Sequence, residues 1–392
     1  NIGLDFGYST MDKKNIPSSI YEHSYRQYQD WMRYHSGLWT KIQVNESSVL
    51  NLQLTYDTSA DRYLEYSDPA YETMTLDSQM RNQAFGVHPR FTMIFLGNRK
   101  LVIGYNYEFQ LNRRKDNGSY STWTYSPVQL HQFFSQYDCS LYPDLLLTTG
   151  LGLSSGMNKY HSDFEPQLEP AIGITYESFL NSKTSFAIGR NTSQPTLRQL
   201  YSESKGNPAL KPQHSLKVEL SHNQALLKNK LSIYCSVYYN NTKDLIDLSP
   251  QNRYENIYKV QSQGTEIGLS YSPANFFQTS VNYAYLSYRE NSDYYLTETP
   301  KNSVELCQRF TLPGKIKFMI YSSYRDRRLS QDDSGSYHTL NTYWKHDLLG
   351  IFPWKILELS LGVENLLDED YQSEYGYPEP GRNFSIALKA KI

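Results

Sequence analysis

The 392-residue sequence predicts an all-β protein: a transmembrane, antiparallel, up-and-down β-barrel of about eighteen strands. Three observations carry this expectation. Apolar residues recur with a period of two along nearly the whole chain. Many of the alternating runs reach about ten residues, the length a tilted strand needs to cross a bilayer. Short connections alternate with long ones.

The alternation is explicit in four stretches. Leu50, Leu52, Leu54 and Tyr56 share one face of a strand, against Asn51, Gln53 and Thr55. Leu231, Ile233, Cys235, Val237 and Tyr239 oppose Lys230, Ser232, Tyr234, Ser236 and Tyr238. Leu357, Leu359, Leu361 and Val363 oppose Glu358, Ser360 and Glu364, and the last run sets Phe384, Ile386, Leu388, Ala390 and Ile392 against Asn383, Ser385, Lys389 and Lys391. Charges inside such runs keep to the polar side. Lys217 and Glu219 lie opposite Leu216, Val218 and Leu220; Glu266 opposite Ile267 and Leu269; Glu305 and Arg309 opposite Val304, Leu306 and Phe310. A wall with lipid outside and water inside requires this, because Lys or Arg at mid-bilayer costs about 2–4 kcal/mol. Tyrosines near strand ends, such as Tyr56, Tyr271 and Tyr288, fit an interfacial girdle. A β-sandwich would also alternate, but in runs of about five or six residues. A propeller needs a repeat of about 40–50 residues, which the chain lacks.

The short connections carry turn chemistry: Asn45-Glu46-Ser47, Gly97-Asn98-Arg99, Pro143-Asp144, Pro273-Ala274-Asn275 and Pro313-Gly314. Between them fall long polar connections near residues 10–32, 58–79, 112–126, 192–211, 241–255, 289–299, 327–336 and 366–380. This is the rhythm of a barrel with a tight inner rim and a looped outer rim.

Composition agrees. Aromatics are 15% of the chain, 36 of them Tyr, which is too many for a disordered segment. The mean hydropathy is negative, and no apolar run of about 20 residues offers a spanning helix. A net charge of −2 supplies no basic field for nucleic acid. Three scattered cysteines make neither a disulfide framework nor a zinc site.

Two motifs go beyond a generic barrel. The first runs Arg190-Asn191-Thr192-Ser193-Gln194-Pro195-Thr196-Leu197-Arg198-Gln199-Leu200-Tyr201, then Gly206-Asn207-Pro208-Ala209-Leu210-Lys211-Pro212-Gln213. The second is Gly362-Val363-Glu364-Asn365-Leu366-Leu367-Asp368, then Tyr371, then Tyr375-Gly376-Tyr377-Pro378-Glu379-Pro380-Gly381-Arg382. Together with Gly264-Thr265-Glu266 they resemble the loop, final hairpin and G-x-E element of TonB-dependent outer-membrane receptors. The resemblance covers about the last 200 residues; Ser193-Gln194, Gln213 and the terminal Ile392 depart from its pattern. Read physically, Pro195, Leu197, Tyr201, Gly206, Asn207, Pro208, Lys211, Pro212, Asn365, Leu366, Asp368, Tyr371, Gly381 and Arg382 serve barrel construction rather than ligand contact.

The resemblance implies one β-barrel domain over residues 1–392, with about 18 of about 22 strands and no plug. It implies import of a large scarce nutrient, namely a ferric siderophore, haem or cobalamin. The partners it implies are outer-membrane lipid and the TonB complex, which acts through a plug and TonB box outside this stretch. It places the chain in the outer membrane of a Gram-negative bacterium. A passive or gated porin and, more distantly, a barrel enzyme are the other readings.

No catalytic constellation, cofactor motif or metal site is visible: the nine His residues are dispersed, without H-E-x-x-H, G-x-S-x-G or Walker patterns. The expected recognition surface is the loops. Tyr21, Tyr25, Tyr28, Trp31 and Met32 recur at three- or four-residue steps, which predicts one face of a short helix in the first loop. Tyr63, Tyr66 and Tyr71 fill the second loop, and Trp123, Tyr294 and Tyr295 add further aromatic area. Such rings offer rigid contact to bulky ligands, or pack the loops against one another. Asp332-Asp333-Ser334-Gly335 has the oxygens to hold a divalent cation or to make a solvated turn.

Overall fold

The computed structural model describes every residue except 22, 96–98, 117–121, 159–164, 179, 203–204, 250, 291–294, 333 and 391–392, and all their side chains but 257, 258 and 290. The strands are β1 (Ile2–Ile16), β2 (Tyr25–Asn45), β3 (Ser48–Tyr66), β4 (Met74–Phe95), β5 (Arg99–Asp116), β6 (Thr124–Tyr142), β7 (Leu145–Met157), β8 (Gln167–Ser178), β9 (Ser182–Ser193), β10 (Gln213–Leu226), β11 (Leu231–Leu248), β12 (Tyr254–Ala274), β13 (Phe277–Glu290), β14 (Asn302–Thr311), β15 (Lys317–Arg325), β16 (Arg328–Gln331), β17 (Tyr337–Leu340), β18 (Tyr343–Trp354), β19 (Leu357–Glu364), β20 (Gln372–Glu374), β21 (Tyr377–Pro378) and β22 (Asn383–Ala390). Among the described residues a short α-helix, α1, spans Leu197–Tyr201, and a 3₁₀ turn lies at Pro313–Lys315. Eighteen strands form one antiparallel up-and-down sheet. The other four make two small hairpins, β16–β17 and β20–β21, within the long connections.

The chain divides into two compact units. The first comprises Asn1–Ile174, Ile188–Leu216 and Thr242–Lys259; the second comprises Thr175–Ala187, Lys217–Asn241 and Val260–Ile392. In the first unit the register aligns Leu4, Leu38, Leu54 and Val87 across β1 to β4. It aligns Ile42, Leu50, Phe91 and Ile103 across β2 to β5. The opposite face is a polar ladder: Gln53 pairs with His88, His88 Nδ1 meets Asn106 Oδ1 at 3.3 Å, and Asn106 Nδ2 donates to Gln132 Oε1 at 2.9 Å. In the second unit Phe310, Phe318, Gly350, Leu361 and Ile386 align across β14, β15, β18, β19 and β22. The facing side holds ion pairs, Lys217–Glu219 at 2.7 Å, Lys345–Asp347 at 3.1 Å and Arg325–Glu305. Ile267, Leu269, Leu361, Phe384, Ile386 and Leu388 are exposed, as side chains bathed in lipid must be.

Among the described residues the short and long connections alternate as expected, but the boundaries move. β2, β3 and β4 run for 21, 19 and 22 residues, about twice the length a bilayer requires. Much of 10–32, 58–79 and 112–126 is therefore strand. Cross-strand pairs carry the hairpins onward: Arg62 forks onto Asp77 at 2.9 and 2.8 Å, and Tyr28 lies opposite Tyr63. The helix expected around Tyr21–Met32 is absent among the described residues. Tyr25, Tyr28, Trp31 and Met32 lie on β2, where a bulge between Gln29 and Met32 resets the alternation. The bulge shifts the period only after Tyr28, so the earlier steps match a helix face by spacing alone. Tyr288 also departs from expectation: its hydroxyl approaches Leu296 O at 3.5 Å in its own loop, away from the apolar row of β13. Gly97, Asn98 and Ile392 lie outside the described residues.

Candidate functional site

In the first unit, the described residues of the connection after β9 form a hydrogen-bonded insert. Thr196 caps α1 reciprocally: its Oγ1 accepts from Gln199 N at 3.3 Å, and Gln199 Oε1 accepts from Thr196 N at 2.9 Å. Leu200 and Leu210, each 1% exposed, pack with Val128 and Ile246, and Leu197 and Tyr201 close over them. Gly206 is required by space, since a Cβ there would lie 2.4 Å from Ser202 O. Asn207 N donates to Gln199 O at 2.8 Å and its side-chain amide to Tyr254 O at 2.9 Å. Lys211 N donates to Asn256 Oδ1 at 2.9 Å. Pro195, Pro208 and Pro212 restrict the chain on either side.

This insert walls three cavities. One of about 710 Å³ lies along the polar strand faces, lined by Gln53, His88, Arg90, Glu108, Gln132 and Gln194 among others. A second, of about 510 Å³, gathers Trp31, Arg33, Asp57, Pro195, Leu197 and Arg198. A third, of about 460 Å³, is bordered by Pro195, Lys211, Pro212, His214 and Asp244. Pro195, Leu197, Lys211 and Pro212 thus both build the insert and border cavities. Arg198, which sequence reasoning passed over, joins Trp31 there.

The other expected aromatics divide. Tyr71 sits edge-on to both Tyr25 and Tyr66, with ring centroids 6.0 and 5.2 Å apart. Its turn is held by Asp68, whose carboxylate accepts from the Thr73, Ala70 and Glu72 amides at 2.7, 3.0 and 3.2 Å. The Thr73 amide foremost keeps that carboxyl below the usual range. Tyr28 tilts against Tyr63 at 5.5 Å, and Tyr63 donates to Glu65 at 2.6 Å. Four of these five rings stand on the far ends of β2 and β3, where Tyr28 and Tyr63 pair and Tyr25 and Tyr66 hold the Tyr71 turn. Trp123 lies under the Arg81 guanidinium at 5.1 Å, and Tyr21 is exposed. Tyr294 lies outside the described residues.

The second unit joins three long connections at its outer rim. Glu298 N donates to Leu329 O at 2.7 Å, and Tyr295 stands edge-on to Tyr337 at 5.3 Å. His338 stacks on Tyr375 at 3.6 Å, and Tyr371 on Tyr343 at 4.3 Å. Asn365, 2% exposed at a φ of 50°, clamps the last connection. Its amide donates to Glu369 O at 2.8 Å and Pro380 O at 3.3 Å, and its Oδ1 accepts from Glu369 N at 2.8 Å. Leu366 N donates to His346 O at 2.6 Å. Asp368 accepts from Arg382 N at 2.6 Å, and a Cβ on Gly381 would stand 2.7 Å from that carboxylate. Of the Asp332–Gly335 stretch, Asp333 lies outside the described residues; Asp332 Oδ1 accepts from Ser334 N and Ser336 N at 3.0 and 2.8 Å, and its Oδ2 meets His338 Nε2 at 2.7 Å. Burial pushes this carboxyl up, but the Ser334, His338 and Ser336 hydrogen bonds outweigh it and hold it at about 2. No group of three or more metal-ligating side chains converges among the described residues. A cavity of about 520 Å³ between these connections is lined by Tyr288, Tyr295, Lys301, Arg327 and Arg328.

With this geometry in hand, the likenesses are specific. Residues 1–366 match the family model described as TonB dependent receptor-like, beta-barrel. The ferric enterobactin receptor of Pseudomonas aeruginosa is similar in structure, with a TM-score of 0.76 at 16% identity over 99% of this chain and 67% of that one. The ferripyoverdine receptor of the same organism's outer membrane gives 0.73 at 14% identity over 94% and 56%. A copper transporter gives 0.71 at 15% over 100% and 80%. Across the siderophore receptors it matches, this chain spans between 56% and 71% of their length.

Proposed function

This chain belongs to the TonB-dependent receptor β-barrel family of the Gram-negative outer membrane, and on that premise we propose that it forms the wall and outer loops of an importer for a ferric siderophore. Haem and cobalamin are the other cargoes the sequence resemblance allows. The observation that carries this reading is the make-up of two cavities, one in each unit, which combine aromatic and ionic side chains: Trp31, Arg33, Asp57 and Arg198 in the first unit, Tyr295, Lys301, Arg327 and Arg328 in the second. A ferric chelate is bulky, flat in places and charged, so it suits rigid rings flanked by cations. In the first unit the polar strand faces line a further cavity of about 710 Å³, suited to passage of a hydrated ligand.

The role of the barrel is selective binding and passage, without bond making. Energy reaches it through the TonB complex acting on a plug segment that bears the TonB box. The test is direct binding of ferric enterobactin and ferripyoverdine by the purified protein, followed by quenching of its fluorescence. Saturable quenching that Trp31→Ala and Arg198→Gln both weaken supports the reading. A large ungated current from the native full-length protein in a planar bilayer, with no quenching by either chelate, would instead favour a porin.

A further inference from the structure

The cavity at the outer rim of the second unit contains an unusual cation. Arg328 is 7% exposed, yet it has no ion pair among the described residues. Its Nη2 donates to Gln372 O at 2.5 Å, and its guanidinium lies 5.2 Å above the Tyr343 ring. Its Nη1 is buried without a hydrogen-bond partner. Arginine cannot escape this by losing a proton. A buried cation with an open donor is costly, and the cost is relieved when an anion supplies acceptors.

Among the described residues that line the same cavity, Lys301 and Arg327 are further cations and none carries a carboxylate. Two nearby carboxylates are engaged elsewhere: Asp326 accepts from Asn302 at 2.8 Å and from the Arg327 amide at 2.7 Å, and Asp332 accepts from its own turn and meets His338. Glu298 is exposed and is not among the lining residues. Thr299, Thr339 and the rings of Tyr288 and Tyr295 complete the wall. Arg328 is also fixed before any ligand arrives. Tyr375 N donates to Ser330 Oγ at 2.9 Å, and His338 stacks on Tyr375, so the two connections that grip Arg328 are docked on each other.

We propose that Lys301, Arg327 and Arg328, which line this cavity together, form a binding site for a multiply charged oxyanion of phosphate or carboxylate type. The proposal rests on the transport reading, which counts this cavity among its ligand contacts, and deepens it by naming the charged group recognised; the chelate test at Trp31 and Arg198 reads the other cavity, so the two can fail separately. An oxyanion on a soluble molecule and one on a lipid headgroup share this chemistry.

The test is calorimetric titration of the full chain, in a neutral detergent at low ionic strength, with inorganic pyrophosphate and separately with citrate. Binding should weaken as salt rises. Lys301→Gln and Arg327→Gln, both at exposed positions, should each weaken it about tenfold, the loss expected for one charge-assisted hydrogen bond. Lys389→Gln, a distant exposed cation, should leave it unchanged. Arg328→Lys keeps the charge but loses the fork, and should weaken binding at least as much while hydrogen exchange of residues 326–342 stays at its wild-type level. The parallel arm places the protein in phosphatidylcholine nanodiscs with and without phosphatidylglycerol, and follows acetylation of Lys301. Protection only with phosphatidylglycerol identifies a headgroup as the source; pyrophosphate or citrate binding in detergent identifies a soluble ligand. Either supports the site. Absence of both, or binding that Lys301→Gln and Arg327→Gln leave intact, overturns it.

Discussion

Asn365 offers a sharp test of how the last long connection is held. Replacing it with Ala removes three hydrogen bonds: two to the carbonyls of Glu369 and Pro380 and one from the Glu369 amide. At about 1 kcal/mol net for each, the loss is about 3 kcal/mol. Asn also tolerates the left-handed backbone found there, at a φ of 50°. Ala tolerates it less well, which adds about 1 kcal/mol. The sum of about 4 kcal/mol should raise local opening of residues 365–382 by roughly a thousandfold, since each 1.4 kcal/mol is tenfold. Amide hydrogen exchange read by mass spectrometry reports this directly, because the affected amides lie in one peptide. Asn365→Gly loses the same hydrogen bonds without the Cβ penalty, so its exchange should be no faster than that of Asn365→Ala. If Asn365→Ala speeds exchange by less than about threefold, the clamp described here does not hold the loop.

The remaining predictions concern the wall, the insert and the acid turn. Ile267→Lys places a cation on the lipid face and should cost about 2–4 kcal/mol in urea unfolding from lipid vesicles, whereas Glu266→Gln should cost little; equal costs would mean the faces are assigned wrongly. Thr196→Ala breaks the capping box of α1 for about 1 kcal/mol and should speed proteolysis of the connection after β9 about fivefold, with unchanged cleavage counting against the cap's hold on the insert. Asp332 has its carboxyl lowered from 3.8 to about 2. Its stabilisation of the β16–β17 turn is therefore fully present above about pH 4 and is lost as pH falls through 2. Exchange of the Ser336 amide between pH 5 and pH 1.5 should show this, and in Asp332→Asn the difference should vanish.

Most of the wall was legible because its physics is local. Period-two alternation arises from the strand itself, so Leu216, Ile267, Leu361 and Phe384 could be assigned to the apolar side with no knowledge of partners. Turns with Pro, Gly or Asn were readable for the same reason. Less legible was the turn at Leu227-Lys228-Asn229, where three consecutive residues adopt positive φ with no glycine among them. Hairpin length was also hidden, because Arg62 and Asp77 extend β3 and β4 only once the register brings them together. The bulge at Gln29–Met32 shifts the period only after Tyr28, so the steps from Tyr21 to Tyr28 resembled a helix face by spacing alone.

The candidate sites divide along the same line. The sequence alone determined the membrane-crossing β architecture, the rhythm of the rims and the motifs of the insert and final hairpin, since each depends on neighbours a few residues apart. Only the tertiary structure decided that Trp31 shares a cavity with Arg198, that Tyr25, Tyr66 and Tyr71 pack on one another, and that Arg328 is buried with an open donor beside Lys301. Those juxtapositions depend on register and loop docking between residues far apart in the chain, and no local periodicity encodes them.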